Sequence, residues 1–200
     1  MSGLGGVYFS RSSSGIFPIS DGQQQRWKEC NKNLNDGRLD IATISAWSIT
    51  DPSLQAQALG LVSAAYIEKG LTQLGISLLS QINNGHYQYI AFTHALEKLE
   101  GVVVDDLFIE KAIEMVKKQP ELELLANPSF ALLCNRLIEL GQIDRGIALF
   151  KDSLNRDKHC FVICEKLIAK GFLSNLAEVL PSSRLFLTPD NFQEAFPPLE

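Results

Sequence analysis

The residues with the most chemical potential are His159, Cys160 and Cys164, with Cys134 further back along the chain. Residues four apart on a helix share a face, so Cys160 and Cys164 can meet one ion. A closed zinc site needs about four such ligands, and the spacing here supplies no compact set. Cysteine also behaves as a small buried hydrophobe, which is the weightier expectation for Cys30, Cys134 and Cys164. His86 and His94 have neither a nucleophile nor a paired carboxylate at useful spacing. Asp105 and Asp106, the acidic doublet, read as helix capping rather than as an acid–base pair. Gly3, Gly5 and Gly6 are followed by no P-loop Lys-Ser/Thr, and Ser12–Ser14 have no His and Asp in arguable order. No catalytic, metal or cofactor residue is therefore assigned. A metal protein or enzyme using His159, Cys160 and Cys164 stands as the alternative from a different class.

Whatever these residues do, helices must position them. The chain has 200 residues, 46% hydrophobic and 20% charged, with a net charge of −5. That length and balance suit one folded domain or one short array. The acidic balance argues against a nucleic-acid partner and against an anionic membrane surface. No apolar run approaches the roughly 20 residues that span a bilayer, and the start lacks the charged-then-apolar pattern of a cleavable signal. Four cysteines without a compact framework fit a reducing compartment.

The pattern is clearest over Asp51–Ile82. Asp51 caps a helix, and Pro52 fits its first turn. Leu54, Ala58, Leu61, Val62, Ala65 and Tyr66 recur on one face. Gly70 sits where the helix must stop and reverse, since glycine accepts the left-handed backbone there. Leu71, Leu74, Leu78, Leu79 and Ile82 mark the next helix. The same punctuation falls at Gly37, Gly101, Gly141 and Gly171, at intervals of 33, 31, 40 and 30 residues counted through Gly70. Helices are expected at 23–35, 39–49, 87–100, 107–118, 128–140, 143–154, 158–170 and 173–180 besides this pair. Seven residues before the glycines stand Cys30, Ser63, His94, Cys134 and Cys164, and five after stand Ala42, Gly75 and Gly146. Those mostly small residues mark where paired helices come closest.

The period and the small crossing positions resemble the tetratricopeptide family of helical repeats, over residues 22–180. The family's Trp, Tyr and Pro signature positions are mostly replaced. The resemblance implies an all-α fold: a right-handed array of about five antiparallel helix pairs, a solenoid. Residues 1–21 read as a flexible Gly/Ser-rich tail, with a short apolar segment able to pack on the first helix. Residues 181–200 read as a capping segment, with a closing helix at 191–196.

In such arrays the first helices line a concave groove. Distances from each glycine place Gln24, Gln57 and Gln88 along one edge, and Trp27, Gly60, Ala91, Ala131 and Phe161 along the floor. Asn31, Ala64, Ala95, Asn135 and Glu165 follow one turn on. Small residues leave room for a peptide or helix, amides bond its backbone, and Trp27 and Phe161 anchor apolar side chains. The alternative for the small residues is close helix packing. The expected function is a non-catalytic scaffold or adaptor that binds another protein or a peptide in the cytoplasm. The Ser-rich start is similar to those of bacterial type III secreted proteins, which implies an exported effector as one version. A type III secretion chaperone, another class of acidic helical arrays, is the other.

Overall fold

The computed structural model describes residues 20–118, 129–153 and 156–180. Among these residues the protein is all-helical, with no strand. The helices are α1 (Asp21–Asn35), α2 (Leu39–Trp47), α3 (Pro52–Glu68), α4 (Thr72–Ser80), α5 (Gly85–Lys98), α6 (Asp106–Lys118), α7 (Ser129–Glu139), α8 (Ile143–Asp152), α9 (Arg156–Ala169) and the short α10 (Leu176–Val179). A 3-10 turn at Leu173–Asn175 leads into α10, where the sequence pattern predicts one unbroken helix over 173–180. The expected closing helix at 191–196 and the N-terminal tail lie outside the described residues.

The helix starts follow from side-chain capping. Asp51 Oδ1 accepts the Leu54 N–H at 2.8 Å, and Pro52 opens the first turn of α3. Asp105 Oδ1 accepts the Leu107 N–H at 2.8 Å, so the acidic doublet starts α6. Asn84 does the same for α5 through the Tyr87 N–H.

The helix stops follow from glycine. Gly37, Gly70, Gly101, Gly141 and Gly171 all have φ between +73° and +80°. At Gly70 the glycine N–H donates to Ile67 O (2.8 Å), and the Leu71 N–H donates to Tyr66 O (2.9 Å). This paired closure satisfies two carbonyls that the helix leaves open. The same two bonds recur around Gly37, Gly141 and Gly171. Gly101 departs from it: the Val102 N–H reaches Leu99 O, and the chain runs on to Asp105 before α6 begins. Those added residues account for part of the longer interval that follows Gly101.

The chain divides after Met115 into two compact units. In the first, α3 is the centre and packs on α1, α2, α4 and α5. Its core is built from Ala42, Ala46, Ala58, Leu59 and Val62, all buried, with Trp27 and Tyr66 packed at the margin. Phe92 and Phe108 stack at 6.0 Å between ring centres and join α5 to α6. In the second unit α7 packs on α8 and α9, and α10 on α8 and α9. Leu133, Leu137, Ile138, Ile163 and Leu167 are fully buried there.

In the helix–glycine–helix pairs at Gly37, Gly70 and Gly141, the small positions read from the sequence are where the backbones meet. A Cβ on Gly75 would lie 2.9 Å from Ser63 O and 2.8 Å from an Ile67 side-chain carbon. A Cβ on Gly146 would lie 3.1 Å from Cys134 O. At the same position of two pairs, a side chain latches the contact. Ser63 Oγ donates to Gly75 O at 2.9 Å, and Cys30 Sγ to Ala42 O at 3.5 Å. Burial pushes the Cys30 thiol up to about 11, so it stays a neutral donor.

Candidate functional site

The positions expected to line a groove divide into two kinds. Gln24 is exposed, and Trp27, Asn31, Gln57 and Gln88 are half-buried. Gly60, Ala64, Ala91 and Ala95 are buried. The reason is visible at Gly60, where α3 meets α5: a Cβ there would sit 2.4 Å from Ala91 O and 3.0 Å from the His94 Cβ. Small residues at these positions let two helices approach closely, and their side chains present no surface to a partner. Gln88 turns its amide inward and donates to Leu79 O at 3.2 Å. In the second unit Ala131 is buried, Asn135 is half-buried, and Phe161 and Glu165 are exposed. The Asn135 Oδ1 atom is itself buried without a hydrogen-bond partner among the described residues.

A concave site lies elsewhere in the first unit. Trp47, Pro52, Gln55, Ala56, Leu59, Gln81, Ile82, Asn83, Asn84 and Tyr87 wall a cleft of about 190 Å³. It forms where α2 and α4 end and α3 and α5 begin, so it lies at the end of α3 remote from Gly70. Trp47, Leu59, Ile82 and Tyr87 give it apolar walls. Fixed polar contacts hold those walls. Gln55 Nε2 donates to Trp47 O (3.1 Å) and Ile49 O (2.7 Å), which pins the loop between α2 and α3. Gln23 spans the same loop from α1, accepting from the Thr50 N–H at 2.9 Å. Arg26 donates to Ser48 O. Asn84 is held by its cap on α5. Gln81 and Asn83 are exposed at the rim.

The spacing of the positive-φ glycines does not mark this cleft, because it is built from the turns between the helix pairs. The signals that mark it are Trp47 before an Asp-Pro start and the Asn83-Asn84-Gly85 turn before Tyr87. Both were present in the sequence as caps and turn residues, without a reason to place them together.

The cysteine cluster has a different character. Cys160 and Cys164 are buried, and neither forms a disulfide. Burial, reinforced by the Cys160 sulfur beside it, pushes the Cys164 thiol up to about 12. A metal ligand or nucleophile is the thiolate, which such surroundings disfavour. Among the described residues no group of three His, Cys, Asp or Glu side chains stands close enough to hold an ion. The His159 side chain lies outside the described residues.

The second unit's polar interior is an ion-pair chain. Arg136 on α7 is buried and donates to Glu139 Oε2 at 2.9 Å, while Lys166 on α9 donates to Glu139 Oε1. Burial pushes the Glu139 carboxyl up. The hydrogen bonds and charges of Lys166 and Arg136 outweigh it and hold the carboxyl below its usual range. The group ties two helices together, with Arg136 Nε and Nη2 buried and without a hydrogen-bond partner among the described residues.

Comparison with protein-family models, with curated proteins and with solved structures finds no match for this chain. Among the described residues no helix is long and apolar enough to cross a membrane.

Proposed function

We propose that this chain is a non-catalytic protein-interaction module, built as stacked helix pairs, that seats one apolar side chain of a partner segment in the Trp47–Tyr87 cleft. The observation that carries the reading is the cleft itself: about 190 Å³, aromatic-walled, rimmed by amides and braced by backbone-directed hydrogen bonds. Its volume is the right order for a single ring, since an apolar cavity of about 150 Å³ takes up benzene. It is smaller than the roughly 300 Å³ at which small-molecule and cofactor sites begin. Aromatic anchors in desolvated pockets dominate many protein interfaces. Walls already held by Gln55, Gln23 and Asn84 lose little freedom on binding, which favours affinity. The rim amides of Gln81 and Asn83 suit the backbone of an extended or turning partner segment.

The repeat pattern supports the stacked-pair description. Four of the five glycine turns close with the same two hydrogen bonds, and alternate helices pack on each other within each unit. Such arrays bind partners by shape over rigid surfaces.

Selection from a displayed random-peptide library on the full chain tests the proposal. The expected result is a set of binders sharing one large apolar residue, and loss of that binding in Asn83→Trp, which plugs the cleft from its exposed rim. A library that yields no binders, or binders indifferent to the plug, overturns it.

A further inference from the structure

We propose that the Trp47–Tyr87 cleft is occupied in the free chain by the protein's own Ile16-Phe17-Pro18-Ile19 segment, with the Phe17 ring inside, and that a partner binds by displacing it. Like the proposed function, on which it rests, this requires the cleft to accept an apolar side chain. Residues 1–19 lie outside the described residues, but the point at which they join the fold is fixed. Ser20 precedes α1 with extended backbone (φ −60°, ψ 148°). In the first turn of α1, Gln23 Nε2 donates to Thr50 Oγ1 at 2.6 Å, and Gln23 Oε1 accepts the Thr50 N–H at 2.9 Å. One turn on, Arg26 donates to Ser48 O. The α2–α3 loop gripped in this way runs between Trp47 and Pro52, and both of those residues wall the cleft. The segment therefore leaves the fold beside the cleft.

Reach and backbone shape fit the ring to this place. Phe17 stands three residues before Ser20, and an extended chain covers about 10 Å in three residues. Pro18 fixes its own φ and disfavours helical backbone at Phe17. So α1 does not extend back through the ring's residue, and the segment is set in an extended shape. That shape suits the rim amides of Gln81 and Asn83, and little conformational freedom is lost on docking.

Charge and tethering select this occupant. None of the residues that wall the cleft is charged, and residues 12–19 carry no charge either, so docking leaves no buried charge unpaired. The other stretches outside the described residues, at 119–128 and 181–200, belong to the second unit. Phe9 lies eleven residues from Ser20, with a longer loop to close than Phe17 has. A segment held on so short a tether meets the cleft at an effective concentration in the millimolar range, so a weakly held ring is enough to compete. A partner then binds with its affinity reduced by the fraction of chains whose cleft is open. The tail sets a threshold that only a tighter or more concentrated apolar segment passes.

Photocrosslinking of the full chain without a partner, from a photoreactive side chain at position 83, tests the occupancy. The expected result is a crosslink within one chain, located by mass spectrometry in the tryptic peptide 12–26, falling on residues 16–19 and lost in Phe17→Ser. Fluorescence anisotropy with a library-selected peptide tests the regulation. Phe17→Ser should bind that peptide about three- to tenfold more tightly than the wild type, as an emptied cleft requires, while Phe9→Ser should match the wild type. Crosslinks that miss residues 16–19, crosslinks that join two copies of the chain, or a peptide affinity unchanged by Phe17→Ser each overturn the proposal and leave the cleft reading standing. That reading fails separately, and takes this proposal with it, when the library yields no binders or binders that ignore Asn83→Trp.

Discussion

Gly60→Ala isolates the closest helix approach in the first unit. A new Cβ would lie 2.4 Å from Ala91 O and 3.0 Å from the His94 Cβ. The first neighbour is backbone, so no rotamer change relieves it, and α3 and α5 must separate. Taken alone, replacing a helical glycine with alanine stabilises by about 1 kcal/mol. Overpacking a close contact costs about 1–3 kcal/mol, and a backbone clash this short belongs at the upper end. The expected net loss is about 1–2 kcal/mol, or roughly ten-fold in the folding equilibrium. Gly22→Ala is the control: it lies in α1 with nothing within 4 Å of the added carbon, and should be neutral or stabilising by up to about 1 kcal/mol. Urea titration followed by tryptophan fluorescence reads the first unit alone, because both tryptophans, Trp27 and Trp47, lie in it. The midpoint should fall for Gly60→Ala with the slope unchanged. A Gly60→Ala protein as stable as the wild type would refute the reasoning, and with it the reading of the small residues as close-contact positions.

Other expectations follow from the same contacts. Gly70→Ala has open space around the new carbon but a φ of +77°, so backbone strain alone should cost about 1–2 kcal/mol in the same titration. Ser63→Ala removes the Oγ bond to Gly75 O and should cost about 1 kcal/mol. Because Glu139 has its folded-state carboxyl held down by Lys166 and Arg136, its contribution is complete above the usual carboxylate range and is lost as pH falls through the lowered value. Glu139→Gln should therefore be less stable than wild type near neutrality, with the gap closing in acid; a gap constant from pH 7 to pH 3 would contradict the ion pair's role. Cys30 and Cys164, their thiols raised by burial to about 11 and about 12, should resist alkylation at neutral pH until the chain is unfolded, which mass spectrometry of the labelled peptides reads directly.

The helices and their turns were legible because their causes are local. A glycine that must adopt positive φ, an Asp before Pro, and an acidic doublet before an apolar run each act within a few residues. The pairing of Ser63 with Gly75, and of Cys134 with Gly146, was legible too, since both members keep fixed distances from the same glycine. The candidate interaction surface was harder to read. An alanine at groove spacing and an alanine at a helix crossing look alike in sequence, and only the 2.4 Å approach at Gly60 shows what the position does. The cleft depends on four chain ends meeting, and the exposure of Ile41, Ile44 and Leu74 depends on which way each short helix rolls. The hydrophobic pattern of α2, too apolar to show a polar side, does not set that roll, whereas Gln73, Ser77 and Ser80 mark the outer side of α4. The division after Met115 likewise had no mark in composition.

The most direct test of the central claim, that a partner's apolar side chain enters the Trp47–Tyr87 cleft, is photocrosslinking from a photoreactive side chain at position 83. A second sample carries the same group at position 24, a groove position that Asn83 does not share. With a library-selected peptide bound, crosslinks should form from position 83 to the peptide's large apolar residue and not from position 24. Crosslinks from position 24 alone would place the partner in the groove and contradict the account.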